Sequence, residues 1–187
     1  MKPMGGHLLF KVAFLLVLAA CAPGCREKPR FDYDFEQPAV LDTLHWKCGT
    51  LYRLSSEHVT SGTNSLEVTF YPGPPGADEN YPGLSFTAFD RNWSRYRTLV
   101  FDAFVPGEKA IRLRLRIDDQ ESPDYADRFN ATIPLAPGGN HIVIPLATLI
   151  SSGSKRPLNL GSIRDVMFFL SNPLERFTVF LDRIRVE

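Results

Sequence analysis

The sequence predicts an all-β protein that folds as a two-sheet sandwich or jelly roll. Two observations carry this prediction: short runs in which apolar and polar residues alternate, and Gly, Pro, Asn and Asp residues between those runs. Alternation with a period of two places one set of side chains in a core and the other set outside it. Many such strands with turn residues at short intervals are typical of sandwiches. Few stretches hold a helical period, and residues 146–151 predict only one short turn.

The first 20 residues have the layout of a cleaved secretory signal. Lys2 and Lys11 supply positive charge, residues 12–18 form an apolar core, and Ala19 and Ala20 are small. A membrane span needs roughly 20 apolar residues, and this run is shorter than that. We therefore expect residues 1–20 to act as a signal peptide that is removed during export.

The charge balance argues against nucleic acid as a partner. The whole chain has 21 Lys and Arg residues and 21 Asp and Glu residues. Removal of residues 1–20 takes Lys2 and Lys11 away and leaves a slightly acidic chain. A nucleic-acid-binding surface needs a large basic field, and this balance does not predict one.

The end of the signal carries a second pattern, because Leu18-Ala19-Ala20-Cys21 resembles the lipobox of bacterial lipoproteins. In that family the cysteine is acylated and becomes the new N-terminus. The resemblance implies a lipid anchor at Cys21, since buried acyl chains hold a protein stably to a bilayer. Residues 21–30 would then be the lipidated cysteine and a tether rich in Pro and charge. Ala22 resembles the residue that sorts such proteins by default to the outer membrane.

These patterns predict an exported protein held at the bacterial outer membrane or on its periplasmic side. An ordinary secreted protein cleaved near the same place is the alternative. Cys25 fits the lipobox less well than Cys21, because Pro23 and Gly24 precede it and the leucine is missing. With Cys21 lipidated, Cys25 and Cys48 remain, and an oxidising envelope would allow them to pair.

From Phe31 onward the chain predicts one domain, residues 31–187, built of strands. Phe35-Glu36 is expected at the start of the first strand. The clearest alternation is in residues 111–117, where Ile and Leu alternate strictly with Arg. The remaining predicted strands are 66–70, 84–88, 99–105, 129–133, 141–144, 166–170 and 178–186, with a turn at 137–140.

Several landmarks occur in a recognisable order along this domain. They are Phe35-Glu36, the Ser-Gly-x-x-Ser-Leu core of residues 61–66, Tyr81-Pro82-Gly83, Trp93-Ser94-Arg95-Tyr96, and the closing run 180–186. The series is similar to the galactose-binding-like jelly rolls that serve as carbohydrate-binding modules attached to glycoside hydrolases. The resemblance covers roughly residues 31–187, and it implies a two-sheet sandwich that binds glycans.

The resemblance also implies a structural calcium ion that ties the first and last strands together. The acidic positions of the family match Glu36 and Asp182, and backbone carbonyls of residues 60–64 would complete the site. Ca²⁺ takes six to eight oxygen ligands, so this set is chemically sensible. Asp34 is expected on the same side of its strand as Glu36 and is a further candidate. The alternative is a pair of solvated carboxylates at strand ends.

The candidate ligand-binding site is the polar face of the strand at residues 111–117. Guanidinium groups in register repel each other unless carboxylates or a ligand compensate them, and they bind carboxylates and sugar hydroxyls well. The face therefore predicts a site for a polar glycan, with an acidic glycan as one possibility. A solvated face of internal ion pairs is the alternative. The polar candidates on this strand and its neighbour are Arg112, Arg114, Arg116, Asp118, Arg128 and Asn130.

Aromatic side chains provide flat surfaces for the apolar side of a sugar ring. Tyr81 and Tyr125 are the better candidates, because they lie in Pro- and Asp-rich loops. Trp46 and Tyr71 are weaker candidates, and Trp93 is expected to be a packing residue. For each of them, burial in the core is the alternative.

The sequence does not predict an enzyme. His45, His58 and His141 lack metal-ligand spacing, and the common hydrolase and nucleotide motifs are missing from the sequence. A glycosidase needs two facing acids, whereas Asp118 and Asp119 are adjacent in a strand and point to opposite faces. We therefore expect a lipid-anchored envelope protein that binds carbohydrate without catalysis. The alternative is an envelope scaffold or assembly factor that binds a protein partner.

Overall fold

The predicted all-β sandwich is confirmed by the computed structural model, which describes residues 30–76 and 79–187. Two antiparallel sheets pack face to face with a common hydrophobic core between them. The signal peptide, Cys21 and Cys25 lie outside the described residues. Cleavage, lipidation and the pairing of Cys25 with Cys48 therefore stay predictions.

The two sheets have six and five strands. In the larger sheet the order is β3-β4-β11-β6-β9, with β1 paired to β11, and in the smaller sheet it is β2-β5-β10-β7-β8. The bounds of the strands are β1 Asp32–Tyr33, β2 Leu44–Trp46, β3 Thr50–Ser55, β4 Ser65–Phe70, β5 Gly83–Phe86, β6 Thr98–Val105, β7 Ile111–Asp118, β8 Phe129–Leu135, β9 Gly138–Pro145, β10 Asp165–Phe169 and β11 Phe177–Val186.

The helices in the described part of the chain are three short 3-10 helices, Pro38–Thr43, Tyr125–Asp127 and Leu146–Thr148. The last of them is the short turn that the sequence predicts within 146–151. Among residues 30–76 and 79–187, no helix has the length and apolar character that a bilayer span requires.

Strand β7 shows how the alternation builds the core. Ile111, Leu113, Leu115 and Ile117 are at most 4% exposed, and the residues between them point away from the core. Burying one face fixes the register of a strand, because a slip of one residue would expose every core side chain. Strand β10 supplies Val166 and Phe168 to the same core, and β5 on its far side supplies Leu84 and Phe86.

The N-terminal part of the sandwich is fastened by aromatic packing. Phe31 packs edge-on against Phe89, with ring centroids 4.8 Å apart, and lies 5.0 Å from the ring of Trp93. Arg30 donates hydrogen bonds from its guanidinium group to the Val186 carbonyl, at 2.6 and 3.1 Å. The start of the described chain is thus joined to the last strand.

Two features in the N-terminal part of the fold differ from the sequence prediction. The first strand was expected to begin at Phe35-Glu36, but β1 is Asp32–Tyr33, and Phe35 follows it with φ 60°, a left-handed conformation that ends the strand. The strands β2 and β3 were not predicted. In β3 the burial pattern is irregular, because this strand lies at the edge of its sheet and its apolar Leu51 is 63% exposed.

Candidate functional site

The outer face of the five-stranded sheet carries the arginines that the sequence singled out. Arg112, Arg114 and Arg116 lie in one row on β7, on the side opposite its core residues. Within the sheet, Arg114 is flanked by Phe169 of β10 and Thr132 of β8. Arg116 is flanked by Met167 and Asn130 in the same way, so the row runs between an apolar strand and a polar one.

A groove of about 820 Å³ lies on this face. Ligand sites of small molecules commonly fall in this range of volume. The groove includes six of the eight predicted ligand-binding residues, whereas Arg112 and Asp118 are not among its lining residues. The residues that line it are Lys47, Cys48, Glu79, Tyr81, Arg114, Arg116, Tyr125, Arg128, Asn130, Met167, Phe169 and Ser171.

The floor of the groove beside the arginines is apolar. Met167 and Phe169 alternate with core residues along β10, and they pair with Ser85 and Gly83, respectively, in the neighbouring strand β5. A Cβ atom at Gly83 would lie 2.8 Å from the Cβ of Phe169 and would also collide with the Met167 side chain. Glycine therefore gives both side chains the room to lie flat on the sheet, which produces an apolar strip next to the Arg row.

Arg116 is neutralised within the sheet. Its Nε lies 2.9 and 3.0 Å from the two carboxylate oxygens of Asp118, and its terminal nitrogen bonds the same group. Burial acts to lower the pKa of Arg116, but the hydrogen bonds and charge of Asp118 outweigh it and the pKa is raised. Burial raises the pKa of the neighbouring Asp165, and Asp118 raises it further. This part of the row is the internal ion pairing that the sequence left open as an alternative.

Arg114 has a different environment. Its Nε atom is buried without a hydrogen-bond partner among the described residues, and its side chain lines the groove. The Nε atoms of Arg91 and Arg164 are also buried without a partner, but Arg114 is the one of the three that lines the groove. Arg112, in contrast, is exposed to solvent outside the groove.

One wall of the groove is the loop that carries Tyr125 and Arg128. Arg156 reaches this loop from the opposite side and donates two hydrogen bonds, of 2.6 and 2.8 Å, to the Asp119 carboxylate. Arg156 also lies 3.5 Å from the Asp127 carboxylate, and the Asn159 N–H donates to Asp119 at 2.6 Å. We call this set of contacts the Asp119 clamp. It holds the wall in place without using any group that faces the groove.

The charge of the clamp is stabilised by its partners. Burial acts to raise the pKa of Asp119, but the hydrogen bonds from Arg156 and Asn159 and the charge of Arg156 outweigh it. The pKa of Asp119 therefore lies below its usual value. These contacts keep Asp119 ionised, and through Arg156 they hold the loop that carries Tyr125 and Arg128 against the rest of the domain.

The opposite wall contains Tyr81 and Glu79. Asn80, between them, is held by Asn172, whose side-chain oxygen accepts the Asn80 N–H at 2.6 Å, while the Asn172 N–H donates to the Asn80 carbonyl at 2.8 Å. The Tyr81 ring packs edge-on to Phe169 with centroids 6.1 Å apart, so it extends the apolar strip. Cys48 is exposed at this side of the groove.

Of the aromatic residues predicted as sugar contacts, two line the groove and others lie elsewhere in the fold. Tyr81 and Tyr125 line the groove, and Tyr125 is 66% exposed. Trp93 is fully buried, as expected for a packing residue. Trp46 is 61% exposed, but it pairs with the core residue Leu84 and so lies on the other side of the sheet from the arginines.

The predicted calcium residues hold the turn at residues 60–64 by hydrogen bonds. Glu36 accepts from the N–H groups of Thr63 and Asn64, both at 2.9 Å, and these bonds lower its pKa. Asp182 is buried under the same turn, where it accepts the N–H of Thr60 at 2.7 Å and that of Ser61 at 3.0 Å. The turn thus presents donors, rather than the expected carbonyl ligands, to both carboxylates.

In this conformation of the turn, its N–H groups occupy carboxylate oxygens that a calcium ion would use. Within the described ranges, no three His, Cys, Asp or Glu side chains are grouped closely enough to hold a metal ion by themselves, and the predicted site would also use backbone carbonyls. The expectation that Asp34 shares a strand face with Glu36 is wrong, because both residues lie beyond the end of β1. Asp34 instead accepts the Glu36 N–H at 3.1 Å. Calcium binding itself stays a prediction.

The sequence did not predict six of the groove residues, namely Lys47, Cys48, Glu79, Met167, Phe169 and Ser171. The run from Val166 to Leu170 is apolar throughout, so no alternation indicates which of its side chains face outward. Lys47 and Glu79 lie in irregular segments beside β2 and β5, where no periodic signal exists. Only the pairing of β10 with β7 brings the apolar side chains to the Arg row.

Comparison with known proteins gives the fold but no family. No protein-family model matches the sequence, and no curated protein matches it. Solved structures do match. The family 11 carbohydrate-binding module from Clostridium thermocellum, solved with a β-1,3-1,4-mixed-linked tetrasaccharide, has a TM-score of 0.63 and 20% identity, over 82% of this chain and 92% of that one.

Two further solved structures show the range of proteins that share this fold. An exo-β-agarase matches with a TM-score of 0.65 and 18% identity, over 83% of this chain but only 24% of the agarase. A family 28 carbohydrate-binding module, specific for non-crystalline cellulose, matches with a TM-score of 0.54 and 18% identity, over 85% of this chain and 97% of that one. The chain therefore has the β-sandwich of carbohydrate-binding modules, which also occurs as one part of a larger enzyme.

Replacing Glu36 tests the role of the carboxylates under the turn. In calcium-free buffer we expect Glu36→Gln to lower the Tm. The N–H bonds of Thr63 and Asn64 to Oε1 lose the carboxylate charge, and an amide replaces Oε2, which accepts the Thr63 hydroxyl at 2.7 Å. Glu108→Gln, on an exposed turn, is the matched control and should leave the Tm unchanged. The calcium prediction is tested in the same scan with the ion added. An ion bound at Glu36 raises the Tm of the wild-type protein but not that of Glu36→Gln.

Replacing Asp119 tests the clamp. We expect Asp119→Asn to lower the free energy of unfolding at pH 7 by about 2 kcal/mol, because Arg156 loses a buried partner. The folded-state pKa is depressed, so this contribution is present above the unfolded value of about 3.9 and is lost as pH falls through the folded pKa. Urea unfolding of both proteins at several pH values measures it.

The control for the clamp is Glu121→Gln. Glu121 pairs with Arg164 but is 82% exposed, so the change should cost less than about 0.5 kcal/mol. An Asp119→Asn deficit that persists undiminished at the lowest pH would contradict the proposed charge interaction.

Proposed function

We propose that this protein binds carbohydrate, without cleaving it, in the groove on the outer face of the five-stranded sheet. The observation that carries the proposal is the apolar strip of Met167 and Phe169 lying directly beside guanidinium groups. A sugar ring has an apolar side of C–H groups and a rim of hydroxyl groups. A surface of this composition can contact both at once.

The groove also has the rigidity that glycan binding needs. Its floor is a sheet, and its walls are fastened by the Asp119 clamp and by the Asn80–Asn172 hydrogen bonds. A site formed before the ligand arrives avoids the entropic cost of ordering loops on binding. The walls present Tyr81 and Tyr125 as further contacts for a sugar chain.

Solved structures with the same β-sandwich support this proposal, because some of those proteins bind carbohydrate. One was solved with a mixed-linked tetrasaccharide, and another is specific for non-crystalline cellulose. Fold alone does not establish function, because one architecture supports many sites. The composition of the groove supplies the argument for this chain.

We further propose that the sandwich is held at the bacterial envelope by acyl chains on Cys21, with residues 22–30 as a tether. The support is the signal-like leader followed by the lipobox-like Leu18-Ala19-Ala20-Cys21. An anchored binding protein would keep polysaccharide near the membrane surface. This proposal is independent of the groove.

Truncating the apolar strip tests glycan binding. The purified full-length protein is run by affinity gel electrophoresis against a panel of neutral and acidic polysaccharides. We expect at least one of them to retard it, and Phe169→Ala and Tyr81→Ala to weaken that binding about tenfold, because contact area is lost. Leu51→Ala is the matched control, since it removes an exposed apolar side chain from the other sheet.

Retardation by none of the polysaccharides would overturn the proposed function and favour a scaffold that binds protein. Equal weakening by Leu51→Ala would show that binding does not occur in the groove.

The anchor is tested by mass spectrometry of the mature protein from a bacterial envelope fraction. We expect an N-terminus at Cys21 carrying the added mass of acyl chains, and Cys21→Ser should release the protein from the membrane fraction. A mature N-terminus at another residue without acyl mass would contradict the proposal.

A further inference from the structure

The charges of the groove are strongly unbalanced. Four of its lining residues are basic, Lys47, Arg114, Arg116 and Arg128, and Glu79 is the acidic one. The chain as a whole has equal numbers of basic and acidic residues, so this concentration is local. A groove lined by one sign of charge attracts ligands of the opposite sign.

The four basic groups do not have the same role. The charge of Arg116 is compensated by Asp118, which is itself buried. Arg128 donates from its Nε to the Pro123 carbonyl at 2.9 Å, which orients its guanidinium group but leaves its charge uncompensated by that contact. Lys47 is exposed at the edge of the groove. Arg116 therefore belongs to the structure of the sheet, whereas the others remain open to a ligand.

Among the arginines of the groove, Arg114 is the one whose side chain has no hydrogen-bond or ion-pair partner among the described residues. It lies centrally on the floor between Phe169 and Thr132, and neither neighbour has a charge. Its Nε is buried without an acceptor, and none of the ion pairs formed by the described residues includes it. Its side chain lines the groove, where an anion can accept two N–H groups of a planar guanidinium at once.

We propose that the groove binds an anionic glycan and that Arg114 is the residue that binds its carboxylate or sulfate group. This inference rests on the proposed function and specifies its ligand class. The apolar side of the sugar ring would lie on Phe169 and Met167, while the charged substituent accepts hydrogen bonds from Arg114. Arg128 and Lys47 add a longer-range attraction for successive charged units.

A charged substituent fits this site better than a hydroxyl group. Hydrogen bonds between ionised partners are about twice as strong as neutral ones. A neutral sugar would cover Arg114 and take it from water while leaving its charge uncompensated, which is unfavourable. The groove therefore favours anionic polysaccharides over neutral ones.

The test compares polysaccharides that differ only in charge. Polygalacturonate and its methyl ester share one backbone, with and without carboxylates. Agarose and chemically sulfated agarose make the second pair. Calorimetric titration of the purified full-length protein should show binding to an anionic member that is at least about tenfold tighter than to its neutral counterpart, and that weakens as salt is raised. The pair that responds distinguishes carboxylate from sulfate.

The variants test the role assigned to Arg114. Arg114→Gln should weaken binding of the anionic polysaccharide about tenfold, and Arg114→Lys should weaken it less, because the charge is kept while the planar fork is lost. Arg112→Gln is the matched control. It removes the same charge from the same row of the same strand, but outside the groove, and should change affinity less than twofold. Thermal unfolding of each variant verifies that it is folded.

The outcomes separate this inference from the proposed function. Equal or tighter binding of the neutral members, or an Arg114→Gln variant no weaker than Arg112→Gln, overturns the anionic ligand while glycan binding stands. Binding to none of the four polysaccharides, together with no retardation by any member of the affinity-gel panel, overturns both the anionic ligand and the proposed glycan binding.

Discussion

Strand β7 buries four aliphatic side chains, from Ile111 to Ile117, and the rest of the groove depends on that burial. The hydrophobic contribution of these residues fixes the register of the strand between β10 and β8. In that register each arginine has a fixed neighbour on both sides. The position of Arg114 next to Phe169 is thus a consequence of packing on the opposite face of the sheet. The core determines the chemistry of the surface.

Arginines in a row on one strand repel each other, and in this structure only part of their charge is compensated by carboxylates. The carboxylate of Asp118 compensates the charge of Arg116. Asp165 lies opposite Asp118 on β10 and would add a second negative charge there if it were ionised. Burial and the charge of Asp118 raise the pKa of Asp165, so the sheet resists a second carboxylate at this place. One end of the row is therefore nearly neutral and the middle of it remains cationic. This gradient gives the groove a polarity along β7.

Much of the fold could be predicted from the sequence, because alternation reports which face of a strand is buried. The predicted strands around residues 66–70, 99–105 and 111–117 correspond to β4, β6 and β7. The floor of the groove could not be predicted, since residues 166–170 are apolar on both faces. The Asp119 clamp could not be predicted either, because Asp119 and Arg156 are distant in sequence and neither lies in a periodic segment. The turn at residues 60–64 shows a third limit, since a motif locates a turn without indicating whether its N–H or C=O groups point inward.

The attachment of Arg30 and Phe31 has a mechanical consequence. Strand β1 pairs with β11 over only two residues, Asp32 and Tyr33, and Arg30 adds its bonds to the Val186 carbonyl. Tension applied to the chain before Arg30 would load these few bonds first. Phe31 is then the next element to resist, because its ring is enclosed by Phe89 and Trp93 and must leave the core before the strand can peel away. Force on the chain at Arg30 is thereby borne first by the pairing of β1 with β11 and by the buried Phe31 ring, whereas the groove lies on the other sheet.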